Sequence, residues 1–175
     1  MNAMRTVSTP SLACLAACLL IAVASARAQD CAALVRAASM AQVKVPHAVT
    51  HVMTMAGKPP MRFDMIFIAD KSYTKVNGAW SVIPFSVQDQ IELINQSAKR
   101  PHPGATCQKS AGESINGEPT SLVTIQEASG KIAEDRLWLS GKTGLPLKSE
   151  VRMHDGSSIS DEFRYDNVQA PANVK

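Results

Sequence analysis

Between Ala48 and Phe67 polar and apolar residues alternate with a period of two, interrupted only by Gly57-Lys58-Pro59-Pro60. Val49, His51, Met53 and Met55 alternate with Thr50, Val52, Thr54 and Ala56, and then Met61, Phe63, Met65 and Phe67 alternate with Arg62, Asp64 and Ile66. Successive side chains on a strand point to opposite faces, so the pattern predicts two strands joined by a turn. Residues 72–76 and 79–83 flank Asn77-Gly78, a pair that tolerates positive φ at both centres of a type I′ turn, which predicts a hairpin. The C-terminal half repeats this texture at 121–128, 133–140, 145–153 and 159–166, with a short strand expected at 112–115 before Asn116-Gly117. Helical spacing appears twice. Asp30 can cap a helix with Cys31, Leu34, Val35, Ala38 and Met40 on one face, and Ser86 can cap another carrying Val87, Ile91, Leu93 and Ile94 to about Ala98. Pro101 and Pro103 end the second helix in a loop that delivers Cys107.

About eight strands linked by tight turns exclude a parallel α/β sheet, whose crossovers need a dozen or more residues. The predicted fold class is α+β: a strongly curved antiparallel sheet with two helices packed on one face.

The N-terminus has a different character. Arg5 precedes the apolar stretch 12–24, and Ala26-Arg27-Ala28 puts small residues where a signal peptidase requires them, so residues 1–28 read as a signal peptide cleaved after Ala28. The apolar run is about 13 residues, short of the ~20 that span a bilayer, which argues against a stable membrane anchor. A lipoprotein site at Leu15-Ala16-Ala17-Cys18 is the competing reading, opposed by the apolar residues that continue beyond Cys18. The expected mature chain, residues 29–175, is a single periplasmic domain. Loss of Arg5 and Arg27 leaves 16 basic against 15 acidic residues, so there is no electrostatic case for nucleic acid. Cys31 and Cys107 are then the only cysteines left, and an even pair in an oxidising compartment reads as a disulfide.

Motifs that carry catalysis are missing from the sequence: there is no G-x-S-x-G elbow, H-E-x-x-H pair, Walker loop or dinucleotide glycine pattern. His47, His51, His102 and His154 sit in no recognisable constellation, so neither an enzyme nor a cofactor is expected. His47, His51, Met53 and Met55 on one strand face raise a copper-binding alternative. However, same-face neighbours stand nearly 7 Å apart along a strand, and no metal site is expected without help from a second strand. Four methionines, Met53, Met55, Met61 and Met65, fall in two adjacent predicted strands with Phe63 and Phe67. Flexible thioethers and aromatic rings suit either a core beneath the helices or an adaptable cavity, and both readings stand at this point.

The run Trp138-Leu139-Ser140-Gly141-Lys142-Thr143-Gly144-Leu145-Pro146-Leu147-Lys148-Ser149-Glu150, followed by Phe163-Arg164-Tyr165-Asp166-Asn167-Val168, resembles the C-terminal strands of the LolA/LolB-like periplasmic lipoprotein-carrier superfamily, which includes RseB/MucB-type regulators. The resemblance implies an incomplete β-barrel with helices on its concave side as a lid. It also implies a non-enzymatic binding or carrier role toward an acyl chain, a lipid or a lipid-modified protein. An envelope-protein partner or a stress-sensing module on the same scaffold is the alternative. On this view Met53, Met55, Met61, Phe63, Met65, Phe67, Trp80 and Trp138 are the expected cavity residues.

Overall fold

The computed structural model describes residues 31–99 and 104–174. The expected signal segment with its Cys18 alternative, the capping Asp30, Pro101, Pro103 and His102 lie outside the described residues. Helix α1 covers 31–42, and nine strands with a second helix follow. They are β1 (His47–Thr54), β2 (Met61–Ile68), β3 (Lys71–Val76), β4 (Ala79–Ile83), α2 (Val87–Ala98), β5 (Thr106–Ala111), β6 (Thr120–Gln126), β7 (Ile132–Ser140), β8 (Pro146–Met153) and β9 (Ser158–Arg164). All nine strands form one antiparallel sheet in the order β4-β3-β2-β1-β9-β8-β7-β6-β5. The sheet is open, with β4 and β5 as its edges.

The alternation places the elements well. Asn77 and Gly78 adopt φ of 50° and 83°, the geometry a type I′ hairpin needs. The strand β5 departs from expectation, because its polar residues Thr106, Gln108, Lys109 and Ser110 carry no period-two signal and it is defined by pairing with β6. Residues 112–115, expected as a strand, instead form a loop closed by an Ile115–Glu118 bridge around Asn116-Gly117.

Register assigns every strand residue to a face. One face is apolar and gathers Val49, Met53, Phe63, Met65, Phe67, Ile159, Phe163, Val151, Leu137, Val123 and Ile125. The other carries Arg62, Asp64, Lys75, Glu162, Arg164, Lys148, Arg136 and Glu134. Helix α1 lies on the apolar face: Cys31 and Ala38 join Val123, Leu137 and Leu139 in the buried core, with Leu34, Val35, Cys107 and Ile125 packed around them. The Cys31–Cys107 disulfide ties α1 to the edge strand β5, with Cα atoms 6.2 Å apart.

Helix α2 begins where Ser86 predicts it. Its hydroxyl accepts from the Asp89 N–H while the Asp89 carboxylate accepts from the Ser86 N–H, a complete capping box. Because β4 and β5 are opposite edges, the segment containing α2 must cross the sheet, and the Arg36 guanidinium donating to Asn95 at 2.8 Å sets α2 beside α1. Twelve helical residues reach about 18 Å, whereas nine strands span about 38 Å. Two such helices cannot cover one face of this sheet completely.

Candidate functional site

The covering is uneven. Beneath α1, Val123, Leu137 and Leu139 are 1%, 9% and 4% exposed. Across the same face, Met53, Phe63, Met65 and Phe67 are only half-buried and Met61 is 38% exposed. Pairing brings them together: Met53 faces Met61, His51 faces Phe63, Val49 faces Met65 and His47 faces Phe67. Met55 lies one residue beyond the end of β1 and is also half-buried. Between the two regions a cavity of about 200 Å³ opens under α1, bounded by Val35, Ser39, Val123, Leu137, Val151 and Phe163.

Three polar side chains meet near the middle of this face. His51 on β1, Asp161 on β9 and Ser149 on β8 are successive partners in one cross-strand row. The His51 Nδ1 lies 2.6 Å from Asp161 Oδ1, and the Ser149 hydroxyl donates to Asp161 Oδ2 at 3.2 Å. The rows on either side are Met65, Val49 and Phe163, and Met61, Met53, Ile159 and Val151. The trio is therefore a polar island in an apolar field. His51 and Asp161 are 110 positions apart in sequence, and the one local sign was an acidic residue at an otherwise apolar position of the last strand's alternation.

His47 plays a different part from His51. It is 3% exposed, stacks on Phe67 with ring centroids 4.7 Å apart, and donates Nδ1–H to the Val45 carbonyl at 2.9 Å. Burial pushes its pKa below the ordinary value, opposed by the Val45 hydrogen bond, so this ring is a neutral core element. The copper alternative thus loses one of its imidazoles to packing, while the other is bonded to Asp161. Among the described residues no group of three or more His, Cys, Asp or Glu is placed to hold a metal ion.

Trp80 and Trp138 correct the expected set. Trp80 pairs with Lys75 and Trp138 with Lys148, and both rows belong to the polar face. Strict alternation points them to the face opposite Met65 and Phe63, although Met65 also borders the groove that Trp80 lines. Trp138 is buried beneath the Lys148 ammonium, 4.6 Å from the ring centroid, and Trp80 has Lys75 at 5.8 Å. Trp80 borders a broad groove of about 890 Å³ on that face, along with Thr50, Asp64, Ile115, Lys148 and Glu162.

Several charges in and around the groove are engaged with neighbours. Asp64 accepts from Arg62 and from the Thr50 hydroxyl. Lys148 bridges Glu150 at 2.8 Å and Glu113 at 3.3 Å, and its hydrogen bond to Glu150 leads the interactions that raise its pKa against desolvation. Farther along this face Glu134 is buried; desolvation pushes its carboxyl up, but Gln126, Arg136 and Arg152 together hold it below the ordinary value. Much of the charge on the polar face is thus paired, whereas the apolar face leaves Met61 exposed.

No family model matches the chain, and no curated protein matches it. Solved structures do. LprF from Mycobacterium bovis shares 11% identity over 84% of this chain and 96% of its own, at a TM-score of 0.46. MucB of Pseudomonas aeruginosa, solved in complex with MucA, shares 15% over 82% of this chain at a TM-score of 0.41, and the chain spans 62% of its length. A LolA superfamily protein from Nitrosomonas europaea shares 10% over 68% of this chain and 83% of its own, at 0.26. The likeness is one of fold. At these identities and scores it carries no residue, ligand or partner across to this chain.

The Trp138–Glu150 run that carries the resemblance has a clear local structure. The Ser140 hydroxyl accepts from the N–H groups of Lys142 and Thr143, Gly144 takes φ of 71°, and the fully buried Pro146 opens β8. A side chain at Gly141 would press on the Pro119 carbonyl at 2.8 Å, so this turn needs its glycine. The Tyr165 hydroxyl donates to the Pro146 carbonyl at 2.6 Å, and burial raises its pKa.

Proposed function

We propose that this is a non-enzymatic periplasmic binding or carrier protein, a single domain over residues 29–175, that holds an acyl chain or a similar apolar ligand against the open part of its sheet. One observation carries the proposal: Met53, Met61, Phe63, Met65 and Phe67 form a contiguous apolar patch that the two helices leave half-covered. Burying such surface is worth about 25 cal/mol per Å². Thioethers adapt to chains of different shape at little cost. In this reading the helices sit on the concave side and act as a partial roof, and the 200 Å³ cavity under α1 is the start of the ligand's path.

Titration with an uncharged fluorescent acyl probe tests this. Saturable binding is expected, weakened at least about tenfold when Met65→Asp puts a charge in the patch. No saturable binding to the wild-type chain, with no lipid detected by native mass spectrometry of protein purified from its envelope, would reject the carrier role.

A second reading, docking of an envelope protein, draws on the edge strand β4. There Val82 is 55% exposed, and Trp80 already forms a parallel bridge with Val174 of the C-terminal segment, so an extended chain can pair with this edge. A stoichiometric protein partner co-purifying without lipid favours that reading.

A further inference from the structure

We infer that the His51–Asp161–Ser149 island recognises the head of the bound amphiphile and selects an uncharged head bearing a hydroxyl or amide N–H donor over an anionic one. The inference rests on the acyl-binding role and names the ligand class for the same face.

Asp161 spends both carboxylate oxygens inside the island, Oδ1 on His51 and Oδ2 on Ser149. An ionised carboxylate can only accept, so His51 carries its proton on Nδ1, and in the neutral ring Nε2 is left as an acceptor. That nitrogen makes no hydrogen bond among the described residues. No buried side-chain nitrogen or oxygen among them lacks a partner, so Nε2 is reachable rather than sealed. Around the His51 ring stand Phe63, with ring centroids 6.0 Å apart, and the apolar rows on both sides. A ligand whose chain lies on the methionines can therefore place one polar group on His51.

Charge decides which group. Asp161 and Asp135 are the acidic residues of this face, and its strand lysine, Lys109, stands on β5, four strands away from β9. Arg36, on the helix above, is committed to Asn95. An anionic head would meet the Asp161 carboxylate far from Lys109, whereas a hydroxyl can donate to Nε2.

Displacement of Nile red from the full mature chain by three lipids with the same acyl chain tests this: monooleoylglycerol (hydroxyl donors), methyl oleate (no donor) and oleate (anion). Monooleoylglycerol is expected to bind about threefold to tenfold more tightly than methyl oleate, the scale of one hydrogen bond, and more tightly still than oleate. His51→Phe should bring monooleoylglycerol and methyl oleate to equal affinity while both still bind. Asp161→Asn, which keeps the shape and removes the charge, should narrow the gap to oleate. Equal binding of the three lipids by the wild-type chain, or a preference that survives His51→Phe, would overturn the selection and leave the carrier role intact. Failure of all three to displace the dye would remove the carrier role and this inference with it.

Discussion

The two halves of the apolar face use different means to become structure. Under α1, β6 and β7 contribute branched aliphatic side chains, Val123, Leu137 and Leu139, that are nearly sealed from water, and a disulfide fixes the covering helix to the sheet edge. On β1 and β2 the same face is built from methionine and phenylalanine and is half-open. Stiff, well-packed aliphatics define one conformation, while thioethers accept several. The closed half is a foundation and the open half a surface with work left to do.

The sharpest way to break this contrast is to cut the bridge. Cys31→Ser with Cys107→Ser frees a 76-residue separation and is expected to destabilise the fold by about 4 kcal/mol in urea unfolding. A loss below about 1 kcal/mol would show that α1 seats itself without the tie. Next in size, Leu139→Ala in the closed half should cost about 3 kcal/mol and Met61→Ala in the open half less than about 1 kcal/mol. Equal losses would mean that both halves are packed alike. Ser86→Ala removes the α2 cap and is expected to cost about 1 kcal/mol. Weakened acyl-probe binding in the same variant would place α2 over the open half, and unchanged binding would remove it from the roof.

Acid should also separate the halves. His47, on β1, is held below its ordinary value of 6.5, so the unfolded chain takes up that proton more readily; stability falls as pH drops through 6.5 toward the folded value. Glu134, on β7, is held below its ordinary 4.5, and its contribution, present above 4.5, is lost only as pH falls through the lower folded value. Urea midpoints followed downward from neutral pH should show two steps, the upper removed by His47→Phe and the lower by Glu134→Gln. A single step retained in both variants would contradict this assignment.

Much of this was legible in the residues. Alternation on β1 and β2 placed Met53, Met61, Phe63, Met65 and Phe67 on one face, Asn77-Gly78 announced a hairpin, and Ser86 marked a helix start. The cysteine count led to the bridge. What escaped notice is long-range. A polar strand such as Thr106–Ala111 has no pattern of its own and exists because β6 offers hydrogen bonds. The tryptophans were grouped with the methionines for being aromatic, whereas facing is decided by register, which set Trp80 opposite Lys75 and Trp138 opposite Lys148. Asp161 meets His51 through a pairing of the first strand with the last, which no local window contains.

That pairing of β1 with β9 also bears on the order of assembly. Strands β1 to β4 and β5 to β9 are each a run of neighbours in sequence, able to zip up from their own turns, but joining the two runs must bring together residues such as His51 and Asp161, 110 positions apart. Closing so long a loop is slow, and the seam is the natural last step of folding. The island lies on that seam, so His51, Asp161 and Ser149 come together only at the moment the sheet becomes whole.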